Sequence, residues 1–306
     1  MTTDKSYILL DGGMGRELER MGAPFKQPEW SALALMEAPE CVIEAHVNFI
    51  NAGAQIITTN SYALVPYHIG EDFFWEKGAN LIKMSAVLAT RAKEKTEKPV
   101  RIAGCIPPLF GSYMPELFTK DKAEEILSLL INEQDPYIDF WLIETVSSIE
   151  EALCVYELIK KYSDKPIWLS YSLVGKANGK TIPSLRSLEK LEEGIKALLN
   201  LDAPPDAILF NCCQPEEISP ALKLTNKMMN KSKYPDIKTG AYANSFVKAK
   251  KRRLFANKGL SELRAEMTPD KYLTFAKDWR KNGASIIGGC CGIGPEHIKT
   301  LAEHLK

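Results

Sequence analysis

Eight short runs of β-branched and aliphatic residues, spread along the whole chain and separated by segments with helical periodicity, limit the folds open to this sequence. They read as strands at residues 7–10, 55–59, 100–104, 140–143, 167–171, 207–210, 238–242 and 285–288. The intervening segments carry helix signals. Ser148 and Glu151 have the spacing of a capping box ahead of an amphipathic run with Leu153, Tyr156 and Ile159. Thr268-Pro269 and Gly294-Pro295 each offer proline at a first helical position. Gly53 can close a helix that starts near Pro39. Strands alternating with helices in this number fit a closed (β/α)8 TIM barrel better than an open doubly wound sheet, because closure leaves no edge strand to protect. DGGMGREL after the first run is also not the GxGxxG of a dinucleotide fold. All 306 residues are expected to form this one domain, with residues 175–183 and 246–267 as excursions at one barrel end.

Thirty-nine basic and 39 acidic side chains cancel, so no nucleic-acid partner is expected. The single basic cluster, KAKKRR at residues 248–253, reads as a solvated loop, with steering of an anionic ligand as the alternative. The first residues lack the apolar core and cleavage site of a signal peptide. No run approaches the roughly 20 apolar residues of a membrane span. A cytoplasmic protein without a membrane partner is expected; the sequence does not speak to its oligomeric state. Seven unevenly spaced cysteines then read as reduced thiols used for metal binding or chemistry rather than as a disulfide framework.

The unusual residues fall just after the strands: Asp11-Gly12-Gly13, Asn60-Ser61-Tyr62, Pro107-Pro108, Glu144-Thr145, Ser172, Asn211-Cys212-Cys213, Asn244 and Gly289-Cys290-Cys291. A barrel gathers its carboxyl-end loops at one mouth, where such enzymes keep their chemistry. The sixth and eighth strands would flank the seventh, which lets Cys212 meet Cys290 and Cys291 across the rim. Adjacent side chains on a regular strand point to opposite faces, so Gly288, Gly289 and Gly292 are expected to let both thiols turn inward. Three thiolates favour zinc and leave a fourth tetrahedral position open, which implies catalysis rather than a structural staple. A set of this kind suits the binding of another thiol. Cys213 competes with Cys212 for the ligand role, a vicinal disulfide is the strained alternative, and free cysteines also pack well in cores. Cys41 and Cys154 read as packing residues, as does Cys105, although it lies near the mouth.

These residues resemble the homocysteine S-methyltransferase family, along nearly the whole chain. The resemblance runs from DGGMGREL through HVNFINAGAQIITTNSY, DFWLIETVSSIEEA and FNCCQP to GASIIGGCCGIGPEHI, the most specific of the set. It implies a zinc-dependent barrel that methylates the thiol of homocysteine to give methionine, with Cys212, Cys290 and Cys291 as ligands. It also implies that Asp11 and Glu144 hold the substrate ammonium, that N–H groups near Gly12 and Gly13 receive its carboxylate, and that Asn211 and Asn244 line the substrate site. Taken alone, Asp11 reads as a turn residue and Glu144 as a charge at a helix N-terminus. The chain departs from the family pattern at Phe210, where glycine is common, at Gly104-Cys105-Ile106-Pro107-Pro108 and at Tyr242-Ala243-Asn244-Ser245-Phe246.

The reaction so implied is displacement at a methyl carbon by the acceptor thiolate. The donor is a cation that loses its charge, so aromatic faces rather than a fixed counter-charge should receive it. Trp30 and Tyr62 are the candidates, with loop packing as the other reading of Trp30. A sulfonium donor, S-methylmethionine or S-adenosylmethionine, is expected over betaine. Betaine-using relatives carry an aromatic residue after the substrate-binding glutamate, where this chain has Thr145, and a C-terminal extension, where this chain ends at Lys306. S-methylmethionine is favoured because no glycine-rich nucleotide cradle is present. A related thiol or selenol acceptor, another donor, a non-catalytic zinc-binding or thiol-redox protein, and a barrel hydrolase with incidental cysteines are the alternatives.

Overall fold

The computed structural model describes residues 7–174, 183–248, 257 and 259–305. The strands are β1 (Ile8–Leu9), β2 (Ile56–Thr58), β3 (Arg101–Ile106), β4 (Phe140–Val146), β5 (Ile167–Tyr171), β6 (Leu173–Val174), β7 (Ser184–Leu185), β8 (Ala207–Asn211), β9 (Lys238–Tyr242) and β10 (Ile286–Ile287). Eight of them form one parallel sheet in the order β1-β10-β9-β8-β5-β4-β3-β2. A bridge between Leu10 and Ile56 joins its two ends into a barrel. All eight expected strands are present. β6 and β7 add an antiparallel hairpin at the mouth, on either side of the excursion expected at residues 175–183, which apart from Pro183 lies outside the described residues. Of the basic run, only Lys248 is described.

The helices form where the local signals put them. Ser148 Oγ accepts from the Glu151 N–H at 3.2 Å, and the Glu151 carboxylate returns to the Ser147 N–H at 2.7 Å. Pro269 and Pro295 open the helices Pro269–Lys281 and Pro295–His304. Gly53 ends helix Pro39–Ala52 in the left-handed region, at φ 112°.

Strand alternation sorts side chains into two cores. Leu10, Ile56, Ala103, Phe140, Leu142, Trp168, Leu209, Tyr242 and Ile286 fill the barrel interior. Trp141, Ile143, Leu169, Phe210, Ala241 and Ile287 pack outward in the larger core shared with the surrounding helices. The same alternation has consequences at the mouth. Phe140 and Leu142 point inward, and Glu144 continues their series at the upper end of β4. Phe210 and Ala243 belong to the outer core, so these departures from the family pattern face away from the mouth.

Of the strand boundaries that differ from the sequence expectation, two bear on the site. β4 continues through Val146 and β8 through Asn211, which puts Glu144, Thr145 and Asn211 on strands rather than after them. The pairing of β4 with β5 slips between Ile143 and Val146, and Thr145 takes φ 63°. An irregularity of this kind re-aims side chains beside a site while pairing continues beyond it.

Candidate active site

Asn211, at the end of β8, and Thr145 hold each other. Asn211 Oδ1 accepts from the Thr145 N–H and the Ser170 hydroxyl, both at 2.8 Å, and its amide donates to Thr145 Oγ1 at 2.9 Å. The Asn211 side chain is wholly buried and braces the bend next to Glu144. Asn244 likewise turns back on its own loop, accepting from the Phe246 N–H at 3.2 Å.

Cys212 follows Asn211 with φ 49°, a left-handed conformation for a residue with a side chain. That turn sends its sulfur into the mouth, while Cys213 is fully buried in the outer core. Of the two, Cys212 is the one whose sulfur joins those of Cys290 and Cys291. The opposite partners lie on the loop after β10. There Gly292 takes φ 82°, and a Cβ on it would meet Ser245 Oγ at 2.0 Å. Gly288 and Gly289, expected to supply the same freedom, instead permit close packing: a Cβ would fall 2.5 Å from Leu10 Cβ and 2.2 Å from Ile293 Cγ2.

The ligand atoms of Cys212, Cys290 and Cys291 all lie within 4.8 Å of one another. Cys212 Sγ is 3.7 Å from Cys291 Sγ, close to the ~3.8 Å edge of a tetrahedron with zinc–sulfur bonds of ~2.3 Å. Cys212 and Cys290 are paired sulfur to sulfur, with Cα atoms 5.7 Å apart. The vicinal pair Cys290-Cys291 does not form. Thiols near enough to share one ion are near enough to share a bond on oxidation. In their reduced state the three sulfurs fit a zinc ion.

The carboxylates come from β1, which pairs with β10 beside the cysteine loop, and from β4. Asp11 accepts from the Thr58 N–H at 2.7 Å and the Thr58 hydroxyl at 3.2 Å. Burial outweighs those bonds and, with the nearby Glu144 charge, pushes its carboxyl up to about 8. Glu144 opens partly to solvent at the mouth but is ringed by protein, and burial lifts it to about 7. Cys105, fully buried, donates to Glu144 Oε1 at 3.0 Å; burial and the Glu144 charge raise its thiol well above its ordinary value. It stays a neutral donor and lies outside the sulfur cluster. The buried Asp11 and the half-buried Glu144 lie near enough for the Glu144 charge to raise the Asp11 carboxyl.

Gly13 is reassigned. Its N–H donates to the Ile293 carbonyl at 2.9 Å, and a Cβ on it would sit 2.6 Å from the Cys290 carbonyl oxygen. It docks the first loop onto the cysteine loop rather than offering a donor to a ligand. Gly12 packs as tightly, 2.2 Å from the Ile293 carbonyl oxygen at its Cβ position.

The matching family model is that of homocysteine S-methyltransferase, over residues 8–305. The chain belongs to the homocysteine S-methyltransferase family. This methyltransferase is 27% identical to homocysteine S-methyltransferase 1 of Arabidopsis thaliana over 325 residues, 97% of this chain and 93% of the relative. It is 24% identical to the selenocysteine methyltransferase of Astragalus bisulcatus over 332 residues, 97% and 92% of the two chains. The metallated form of the homocysteine methyltransferase MmuM from Escherichia coli superposes with a TM-score of 0.76 over 98% of this chain and 96% of that one. At 23% identity that likeness carries the barrel fold alone.

The aromatic candidates occupy neighbouring positions in the methyltransferase. Tyr62 shares a hydrogen bond with Ser112 Oγ at 2.7 Å, and its ring lies 6.5 Å from that of His68. His68 Nδ1 and the Trp30 indole N–H both meet Asn257 Oδ1, at 3.1 and 2.8 Å. Trp30 and Tyr62 are thus linked through His68 and Asn257. The sequence reading missed Tyr113, whose ring carries the Arg186 guanidinium at 4.5 Å. Its signal was available: an aromatic residue in a carboxyl-end loop, as for Tyr62. Arg186, inside an ordinary SLRSLEK stretch, gave none.

Proposed function

We propose that the protein transfers a methyl group from a sulfonium donor to the thiol of homocysteine, giving methionine, at a zinc centre held by Cys212, Cys290 and Cys291. The observation that carries the reading is the meeting, in one barrel mouth, of three convergent sulfurs with two carboxylates, the buried Asp11 and the half-buried Glu144. Zinc in that thiolate set would keep the acceptor thiol deprotonated near neutral pH, where a free thiol with pKa of about 8.5 is mostly protonated. Asp11 and Glu144 receive the acceptor's ammonium, which supplies the positive charge their burial has left unmatched. The Gly12 N–H is the remaining candidate for its carboxylate. Tyr62 and Trp30 face the donor cation. Binding donor and acceptor in line turns a bimolecular encounter into an oriented one.

S-methylmethionine is the favoured donor, ahead of S-adenosylmethionine. Thr145 supports a sulfonium over betaine: it is wholly buried and bonded to Asn211, so the position next to Glu144 offers no aromatic face to a quaternary ammonium. A selenol amino acid is the second reading for the acceptor, favoured by the likeness to the Astragalus enzyme. Competition tests both choices. Reduced, zinc-loaded protein is given equal concentrations of S-methylmethionine, S-adenosylmethionine and betaine, with homocysteine or selenocysteine as acceptor. S-methylmethionine should be consumed first and homocysteine methylated; preferential use of betaine contradicts the donor assignment.

A further inference from the structure

Cys212 holds its sulfur in the mouth through a backbone conformation that a residue with a side chain adopts only when its surroundings impose it. Those surroundings are specific. The carbonyl oxygen of Cys212 accepts two hydrogen bonds, from Arg186 Nη2 at 3.1 Å and from Ser172 Oγ at 3.3 Å. Ser172 Oγ in turn accepts from Arg186 Nε at 3.0 Å, so one planar guanidinium grips the carbonyl both directly and through a hydroxyl. The guanidinium lies over the Tyr113 ring at 4.5 Å, which fixes its plane. Ser172 precedes β6 and Arg186 follows β7, so the hairpin brings the two halves of the clamp to the rim of β8. On the other side of the same residue, the Cys212 N–H donates to the Tyr242 carbonyl at 3.3 Å.

We infer that Arg186, with Ser172, is a positioning residue of the metal centre: it locks the Cys212 peptide in the turned conformation that lets its sulfur join those of Cys290 and Cys291. This rests on the reading of those three cysteines as a metal site. Arginine is suited to the task because it always carries its charge and binds with several donors in one plane. Lysine would keep the charge, yet its single nitrogen cannot reproduce the direct and relayed bonds together with the stack on Tyr113. Outer contacts that orient a ligand typically change metal affinity 10- to 100-fold when removed.

The test uses reduced, metal-free full-length protein. Wild type, Arg186→Gln, Arg186→Lys and Ser172→Ala are titrated with zinc against a chromophoric chelator, and with cobalt(II) followed by its thiolate charge-transfer band. Zinc affinity should fall about 10- to 100-fold in Arg186→Gln, remain clearly weakened in Arg186→Lys, and fall least in Ser172→Ala. At saturating cobalt, the Arg186→Gln band should differ from that of wild type because Cys212 is displaced. Wild-type affinity in both Arg186 variants overturns the inference. So does weakened affinity with an unchanged cobalt band and a lowered melting temperature of the metal-free protein, which marks a general structural role. If reduced wild type binds neither metal, the metal reading fails, and the inference with it.

Discussion

On the wall built from β8 to β10, three like groups are brought together by bending the backbone: Cys212 at φ 49° and Gly292 at φ 82° turn where a strand would alternate. On the wall built from β1 to β4 the gathered groups are carboxylates: Asp11 follows β1, and Glu144 is the next inward residue after Phe140 and Leu142, beside the irregularity where Thr145 takes φ 63°. The cost there is electrostatic, seen in carboxyls raised to about 8 and about 7. Both walls bend the backbone and both are desolvated, since burial also lifts the Cys291 thiol to about 11; they differ in what they gather, sulfurs on one and carboxylates on the other.

Removing a sulfur should have the largest effect. Cys290→Ala or Cys291→Ala should lose stable zinc binding and methyl transfer together, as measured by metal content and turnover under reducing conditions. Cys213→Ala should keep its zinc and lose only stability, as a buried core side chain does. Full zinc occupancy in both of the first two variants would break the division between the walls.

Next comes the carboxylate wall. Glu144→Gln should retain zinc while catalytic efficiency toward homocysteine falls at least roughly tenfold, the scale of a lost charge-assisted contact of about 1.5–3 kcal/mol. Unchanged kinetics would remove Glu144 from the acceptor site.

A smaller effect concerns pH and the protein without ligands. Folding raises the carboxyls of Asp11 and Glu144, so between their ordinary values near 4 and their folded values of about 8 and about 7 the folded state holds protons that the unfolded state has released. Stability then falls as pH rises through that window. The buried Glu151, also raised to about 7, acts in the same direction. His46, lowered to about 3 by burial, opposes it in the acid part of the range. Comparing Glu144→Gln with wild type isolates one contribution: urea unfolding at pH 5 and pH 8.5 should show a smaller loss in the variant. An equal loss would mean that desolvation of Glu144 does not strain this wall.

The contrast between the walls also explains what the sequence made legible. The barrel strands could be read because each is a compact apolar run between helix signals, and the alternation that fills the interior also sets Glu144 at the mouth. The sulfur set was legible because a pair of neighbouring cysteines among glycines stands out from its surroundings. The roles of the individual glycines were not. Among the glycines of these two loops Gly292 takes the left-handed region, whereas Gly13 and Gly288 are required by contacts made when β1 and β10 pair, and Gly289 by the Ile293 side chain. The bonds of Asn211 to Thr145 could not be read either, because they depend on the irregularity in β4. Arg186 was invisible for a related reason. Its partners Ser172, Tyr113 and Cys212 come from three other parts of the chain, and no local pattern records a contact that barrel closure creates.

The most direct test of the central claim is zinc-edge X-ray absorption on reduced, zinc-loaded protein, recorded with and without homocysteine. Three sulfurs and one lighter ligand around zinc should become four sulfurs when homocysteine is added, with the same change much weakened in Glu144→Gln at limiting homocysteine. A zinc shell that keeps the same sulfur count at saturating homocysteine would contradict the account.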